Sequence, residues 1–594
     1  MNAPFKTDGL PEWRLDDLYS GRKDPRIEAD LAEAQRLTAE LAGLEGRLIA
    51  ARADAAELGR LLDEGVSLYQ QITDLLYGVG GFAQLAATTA RDDPAWAKFE
   101  ADLRTRAAQI GAESLFFTLE INQLEDAELE AALAGVAGRW RPWIRRVRLT
   151  RPHELSPELE RMLVDRSPAV ANWSRLSDET LATLTAEVDG EYLTLSETLN
   201  RLSDPDQARR QAAAEGLAEA LAQRSSTLAL CLNTLAFEKQ VEDRWRRYED
   251  PAASRHLANE VDADAVRALE AAVVESYEAV SHRYYRLKAK AMGLPVLNHW
   301  DRNAPLETTQ PRTYGWDEAR TMVLESFADL APKFAQAAET FFERPWIDAR
   351  PRPGKQSGAY SHPVAANRHP YVFMNYMGER RDVLTLAHEL GHAVHQTLCA
   401  PLGTLLAETP LTLAETASIF GEGLVFDRLM ASATPEEKRG LLAGRIEDGL
   451  NTVVRQIAFH RFEDRFHAAR LQGELSPDEI GELWLDVMGE SLGPSVVLNE
   501  GYEHYWAYVS HFVHAPFYVY AYAFGDLLVR GLMEKRREDP QAFAPLYEEL
   551  LAAGGTKTYV EALAPFGLNP REKAFWAAGM KQMERLVDAF EALV

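Results

Sequence analysis

The chain has few cysteines, no long apolar run and a deficit of positive charge, and each shortage removes a class of protein. Two cysteines in 594 residues, Cys231 and Cys399, make no disulfide framework and are not spaced for metal. No apolar run reaches the ~18–20 residues needed to span a bilayer. The start, Met1-Asn-Ala-Pro-Phe-Lys-Thr, has no apolar core segment and no small-residue cleavage site. Secretion is therefore not expected, and the expected location is cytoplasmic. Lys and Arg number 64 against 91 Asp and Glu, a net charge of -27, so phosphate backbones and anionic membranes would be repelled. The chain shows no internal repeat and no low-complexity segment.

What is present is a soluble-protein composition, 46% hydrophobic and 26% charged, with enough apolar residues for a large core. Length alone suggests about four domains of ~150 residues, although helical enzymes often merge such units. Residues 1–25 read as an irregular lead anchored by Trp13-Arg-Leu-Asp-Asp-Leu-Tyr19. From Arg26 to Ala112, apolar residues recur at three- and four-residue spacing, as in Leu31, Ala34, Leu37 and Leu41. This predicts amphipathic helices; the heptad is not sustained enough for a coiled coil. Trp140, Trp143 and the arginines before Arg151 read as helix ends packing on a neighbouring layer. Asp189-Gly190 between β-formers predicts a two-residue hairpin turn. The boundary between an N-terminal helical region (1–195) and a catalytic body (196–594) is placed there. Further helices are expected to Ala291 and from Trp316 to Phe342. Residues 345–378, richer in Pro and Gly with β-formers at Tyr371-Val-Phe-Met, predict a small sheet. Nearly everything after Asp382 reads as helix.

The chemistry is concentrated at Thr385-Leu-Ala-His-Glu-Leu-Gly-His-Ala-Val-His395. In a helix His388 and His392 lie one turn apart on one face, with Cβ atoms roughly 5–6 Å apart, so both rings can reach one ion. Glu389 is then placed to meet an attacking water instead of the metal. On their own, two such histidines could be satisfied side chains of an ordinary helix. A zinc site of this type also needs a third ligand and an open position. Glu415, 23 residues beyond His392, supplies the ligand, and Glu415, Ser418 and Glu422 fall on one helical stripe. Glu422 is the candidate to accept the free ring N–H of a ligand histidine, while Glu408 reads as solvated.

These segments resemble the M3 family of zinc peptidases, the thimet oligopeptidase and oligoendopeptidase F group. The family's H-E-x-G-H-x-x-H helix and later E-x-x-S appear as His388 to His395 and Glu415-Thr-Ala-Ser418. Gly354-Lys-Gln-Ser-Gly-Ala-Tyr360, His369-Pro-Tyr-Val-Phe-Met-Asn-Tyr376 and His511-Phe-Val-His-Ala-Pro-Phe-Tyr-Val-Tyr-Ala-Tyr522 resemble three further motifs. The match is fullest over residues 190–594, and the oligoendopeptidase F branch fits best. The resemblance implies a mostly α-helical, zincin-type metallopeptidase with a small sheet beside the metal helix and a deep substrate channel. It implies one Zn2+ per chain, short peptide substrates, and a histidine and a tyrosine from the last motif that bind the substrate and transition state.

If the chain is helical beyond Pro516, Tyr518 and Tyr522 share a face and Tyr520 points elsewhere. His511, Tyr518 and Tyr522 are therefore the candidates, with His514 and Tyr508 also possible and Tyr360 and Tyr376 weaker. His362, His369 and His395 need no role in the reaction. An edge strand near Tyr371–Asn375 is expected to bind peptide by strand addition. Two rivals stand beside a zinc endopeptidase. One is a zinc exopeptidase, for which no Arg or Lys identifies itself as the terminus-capturing group. The other is an inactive helical binding protein, which the intact His388, Glu389, His392 and Glu415 set argues against.

Overall fold

The computed structural model describes residues 7, 9–306 and 312–594. Helices account for 71% of the chain, about twice the share usual in soluble proteins. Among the described residues, no helix is long and apolar enough to cross a membrane. Contacts group the chain into two compact units: Met1–Arg151, Gln310–Ser432 and Met533–Gly567, and Pro152–Thr309, Ala433–Leu532 and Leu568–Val594. The expected boundary after residue 195 divides the chain by stretches of sequence. Contacts group it differently, and residues 195 and 196 both lie in the second unit.

The first unit begins with the amphipathic helices that the spacing predicts, Pro25–Ala42, Ala55–Thr88 and Pro94–Glu113. Each opens on an aspartate cap: Asp24, Asp54 and Asp93 accept backbone N–H groups of the first turn. Leu31, Ala34, Leu37 and Leu41 are buried together with Leu58, Leu61 and Leu62. The lead is anchored as expected. Trp13 meets Tyr371 edge-on at 5.8 Å, and Arg14 N donates to Pro345 O at 3.0 Å. The arginines before residue 151 bind carbonyls: Arg148 reaches Ile121 O at 2.6 Å and Leu124 O at 3.0 Å, and Arg146 reaches Glu408 O at 2.8 Å.

The small sheet of this unit has three strands in the order Ile347–Asp348, Tyr371–Phe373, Tyr360–His362. Ile347 pairs in parallel with Val372, and Ser361 pairs antiparallel with Val372 from the other side. This corrects the sequence expectation. Tyr371–Phe373 is the central strand, paired on both sides and fully buried, so it cannot accept a peptide; the edge strands are Ile347–Asp348 and Tyr360–His362. A run of buried β-formers marks a strand but not its neighbours. Asn375 instead donates to Gln356 O at 2.9 Å and Gly358 O at 3.3 Å, holding the glycine-rich loop. Lys355 of that loop is buried and structural. Its ammonium lies 2.7 Å from Asp348 Oδ1 and donates to the carbonyls of Asp348, Arg350 and Met374. Burial pushes its pKa down, against the pull of Asp348.

In the second unit the hairpin forms at the expected place, Thr185–Val188 against Glu191–Thr194, with φ of 52° at Asp189 and 82° at Gly190. Positive φ at both turn residues is the geometry this dipeptide favours. The helices Ser225–Arg246 and Ala253–Ala258 each end beside a left-handed residue, Arg247 and Glu260. Leu297–Asn298 is extended and pairs in parallel with Val496–Val497. Arg210 and Asp301 form a fully buried ion pair at 2.7 Å that ties this stretch to the helix Gln207–Ala222.

The metal-motif helix, Arg380–Cys399, packs on the helix Thr416–Ser432, both in the first unit. They approach so closely at Gly391 that a Cβ there would lie 2.5 Å from Ala417 O and 2.7 Å from Ser418 Cα. Gly111, also helical, has nothing within 4 Å. Gly391→Ala is therefore expected to cost at least about 1–3 kcal/mol in unfolding free energy, as overpacking does. Gly111→Ala should be neutral or stabilising by about 0.4–1 kcal/mol. Denaturant titration of both variants checks the contrast.

Candidate metal centre

The metal helix starts on a reciprocal cap, Glu379 with Asp382, whose carboxylate also takes the Met377 N–H at 2.7 Å. Val383, Leu386, Ala387, Leu390, Ala393 and Val394 are buried and fix its rotation. That rotation presents His388 and His392 together, with ring centroids 5.0 Å apart. Glu415 sits at the junction between the short helix Leu411–Ala414 and the helix Thr416–Ser432. Its Oε2 lies 3.5 Å from His388 Nε2 and 3.4 Å from His392 Nε2. These three side chains could hold a metal ion, each giving one atom within 4.8 Å of the others.

The polar stripe on the second helix orients this set. Ser418 Oγ donates to Glu415 Oε2 at 2.6 Å. Glu422 Oε2 lies 3.5 Å from His388 Nδ1, the nitrogen turned away from Glu415. Burial disfavours charge on His388, but the carboxylates of Glu422, Glu415 and Glu389 outweigh it and raise its pKa. Burial also opposes charge on Glu415, yet His392, His388 and Ser418 hold its pKa down at about 2. Glu389 is shifted the other way. Burial raises its pKa, with His388, His392 and a backbone hydrogen bond from Ser361 opposing. Ser361 belongs to the edge strand Tyr360–His362, and its hydroxyl donates to Gln396 of the metal helix at 2.8 Å. The strand's edge therefore lies beside Glu389. This neighbour was missed in the sequence; its signal was the alternation Tyr360-Ser-His362 after a glycine loop.

The other histidines of this unit are occupied structurally. His395 is buried, its pKa pushed down to about 4, within 3.4 Å of Thr409 Oγ1. His369 stacks on Trp346 at 3.7 Å and bonds Asp17. His362 accepts the Val364 N–H at 2.9 Å. Tyr376 donates to Tyr314 O at 3.0 Å, and Tyr360 stacks on Phe373 at 5.0 Å.

His511, Tyr518 and Tyr522 lie in the second unit, where they form one cluster. His511 Nε2 is 3.1 Å from Tyr522 Oη, the His511 and Tyr518 rings lie parallel at 6.0 Å, and Tyr518 meets Tyr522 at 5.3 Å. The helix begins only at Tyr520, so Tyr518 precedes it; a turn with φ of 60° at Phe517 brings it beside Tyr522. Tyr520 points inward. Its buried hydroxyl takes a hydrogen bond from Asn259 at 2.9 Å and lies 3.0 Å from His256 Nδ1. His514 is held by Asp178 at 2.8 Å, and Tyr508 accepts from Arg455 at 3.3 Å. The second unit also brings Glu270, His460 and Asp464 together, but Arg461 already neutralises Glu270 at 3.3 Å.

The model of peptidase family M3 matches residues 201–582, more than half of the chain, and that of oligopeptidase F matches residues 120–185. The oligopeptidase PepF of Bacillus subtilis is 23% identical over 602 residues, covering 98% of this chain and 87% of that protein. The group B oligopeptidase PepB of Streptococcus agalactiae is 23% identical over 559 residues, covering 90% of this chain and 92% of its own. Among solved structures, a candidate peptidase of Chlamydophila abortus superposes with a TM-score of 0.86 at 21% identity, over 100% of both chains. Oligoendopeptidase-F of Enterococcus faecium gives 0.70 at 19% identity, over 96% of this chain and 99% of its own. The structural likenesses show a shared fold. With the family model spanning the helix of His388 and His392 and the segment of Glu415, the chain belongs to peptidase family M3, in its oligopeptidase F branch, and is a metallopeptidase.

Proposed function

We propose that the protein is a cytoplasmic, zinc-dependent oligoendopeptidase that cuts internal bonds of short peptides, with His388, His392 and Glu415 as zinc ligands and Glu389 as general base. The spacing of the ligand atoms carries the reading. Four-coordinate zinc with bonds of about 2.0–2.1 Å holds its ligands about 3.3–3.4 Å apart. Glu415 stands 3.5 and 3.4 Å from the two imidazoles. Two nitrogens and one oxygen leave the fourth position for water, as in catalytic zinc sites. Glu422 beside His388 Nδ1 keeps the proton there and frees Nε2 for the metal.

Zinc bound here supplies a Lewis acid and an acidified water. Glu389 receives the proton of the attacking water and passes it to the leaving amine; burial raises its proton affinity for both duties. The outer edge of Tyr360–His362 offers an extended peptide a partner strand beside that carboxylate. Strand addition needs an extended segment, which a short flexible peptide provides at little cost. His511, Tyr518 and Tyr522 are proposed as donors to the substrate and to the oxyanion, on their motif and on their clustering. No nucleic acid or membrane partner fits a net charge of -27.

Glu389→Gln should keep full zinc content and lose at least ~10²-fold in turnover, whereas His388→Ala should lose zinc and activity together. Metal analysis of the purified variants beside a peptide assay separates the two roles. Zinc retained in His388→Ala, or near-normal turnover in Glu389→Gln, would overturn the assignment.

The tyrosines should divide by kinetics and stability. Tyr518→Phe and Tyr522→Phe should lower kcat more than they raise KM, as expected for donors that act in the transition state. Tyr520→Phe strands two buried polar partners and should instead cost about 1–3 kcal/mol of stability. A Tyr520→Phe variant of normal stability with crippled kcat would reverse the assignment.

Docking on a strand edge needs no charged terminus. Peptides acetylated at one end and amidated at the other should be cut internally about as fast as their free counterparts. Mass spectrometry of the products decides this, and loss of cleavage on blocking either end would favour an exopeptidase.

A further inference from the structure

Between the short helix His511–His514 and the helix Tyr520–Glu538 the chain makes a tight turn, Ala515-Pro-Phe-Tyr518. The Tyr518 N–H closes it, donating to Ala515 O at 3.0 Å. Pro516, at the second position, locks its own φ at about −65°, and Phe517, at the third, has φ of 60°. A negative φ followed by a positive one marks a type II turn, whose third position normally takes glycine. A bulky aromatic residue there is a genuine outlier. The unstrained alternative is a type I turn, which differs mainly by a near half-turn of the peptide unit joining the two middle residues.

That peptide unit is gripped at both ends. Its carbonyl, Pro516 O, accepts from Arg255 Nε at 3.2 Å, and its N–H, on Phe517, donates to Glu463 Oε1 at 2.7 Å. A flip would break both bonds and turn the N–H towards the Arg255 guanidinium, which has no acceptor. Arg255 belongs to the helix Ala253–Ala258 and Glu463 to the helix Arg455–Arg470, so three distant stretches of sequence meet at one peptide. The same two helices brace the flanking residues. His256 and Asn259 reach the Tyr520 hydroxyl at 3.0 and 2.9 Å, and the His467 ring lies 4.8 Å from that of Phe517.

Glu463 is only 2% exposed, and its Oε2 has no hydrogen-bond partner. Burying such a group is costly, and its hydrogen bond goes to the strained peptide. Burial pushes its pKa up to about 8, against the pull of the Phe517 N–H. Near pH 7 the carboxyl is therefore mostly protonated and accepts through its carbonyl oxygen, as a glutamine would. Backbone strain persists where the surroundings over-determine it, and it gathers at active sites. Here the strained residue directly precedes Tyr518, whose ring meets Tyr522 at 5.3 Å and lies under the Arg255 guanidinium at 5.6 Å.

We propose that Arg255 and Glu463 are positioning residues of the reaction: by gripping one peptide from both ends they hold the turn in its left-handed form and the Tyr518 hydroxyl where it serves the transition state. The inference rests on the assignment of Tyr518 as a donor and adds the two residues that place it.

Glu463→Leu removes the acceptor and Arg255→Met the donor. Each zinc-loaded variant should lose at least ~10-fold in kcat, since a misplacement of about 1 Å can cost ~10²-fold. KM should change by less than about threefold, as for a group that acts in the transition state. Glu463→Gln should keep kcat within about twofold, because its amide oxygen can accept the same N–H. Added to Tyr518→Phe, either disabling substitution should cost less than about threefold more, because the hydroxyl it would misplace is already gone. Arg255 is only partly buried, so Arg255→Met carries this cycle if Glu463→Leu fails to fold. Unchanged kcat in either folded variant, or losses that multiply in full with that of Tyr518→Phe, overturns the grip and leaves the peptidase reading intact. So does a Glu463→Gln variant as impaired as Glu463→Leu. If Tyr518→Phe itself keeps full kcat, the assignment of the tyrosine fails and the role of the grip falls with it.

Discussion

The candidate metal centre depends on one close contact, the backbone of the helix Thr416–Ser432 seated against Gly391. The two imidazoles come from one helix and are placed by its periodicity, but Glu415 comes from another segment and must be carried to them. Its carboxylate reaches both Nε2 atoms within 3.5 Å. That distance leaves no room for a side chain at the crossing, where an added Cβ would lie 2.5 Å from Ala417 O. The far side of the Glu415-bearing segment is pinned as well. Tyr547 donates to Thr416 O at 2.9 Å, and Phe420 stacks on Phe543 at 5.5 Å. Sites of this kind need their groups held to within about 0.5 Å, and a helix backed by buried aromatic contacts supplies that rigidity.

What was legible in the sequence was local. His388 and His392 share a face because a helix repeats every ~3.6 residues. The Asp189-Gly190 turn follows from the left-handed tolerance of that dipeptide. Glu415, Ser418 and Glu422 point one way because they are spaced at helical intervals, and the carboxylate predicted to serve a ligand histidine lies 3.5 Å from His388 Nδ1. Tyr518 reached its expected neighbours by a different route, through the left-handed turn at Phe517. What was not legible was set by partners distant in the chain. Strand order in the sheet depends on Ile347 meeting Val372 across 25 residues, and alternation of β-formers says nothing about it. The two compact units each gather three separated stretches of chain, so no composition shift marks their limits.

Motifs that look chemical in the sequence divide between chemistry and support once their surroundings are known. Lys355, in a glycine-rich loop, could pass for an anion-binding lysine. Its ammonium is spent on Asp348 and three carbonyls at the end of the sheet. Arg210 and Asp301 are similarly consumed by each other. A buried pair of this kind adds little net stability, because desolvation offsets the attraction, but breaking it strands a charge. Beside the metal centre, by contrast, Ser361 bonds Gln396 of the metal helix through its hydroxyl and Glu389 through its backbone, so the support reaches the carboxylate next to the ligand set.

The last step concerns the two carboxylates of the centre, which share neighbours yet are driven apart. Glu389 and Glu415 are both drawn toward the neutral form by burial. Glu415 escapes because His392, His388 and the Ser418 hydroxyl all favour its ionised form, leaving its pKa at about 2. Glu389 has weaker compensation and the repulsion of Glu415 besides, so its pKa rises. A ligand must stay ionised and keep its lone pairs for a cation, whereas a base must bind a proton and release it near neutral pH. Environments that push two titratable groups in opposite directions assign those duties. The proposed assignment of Glu415 to the metal and Glu389 to the proton is thus supported by burial and hydrogen bonding as well as by distance.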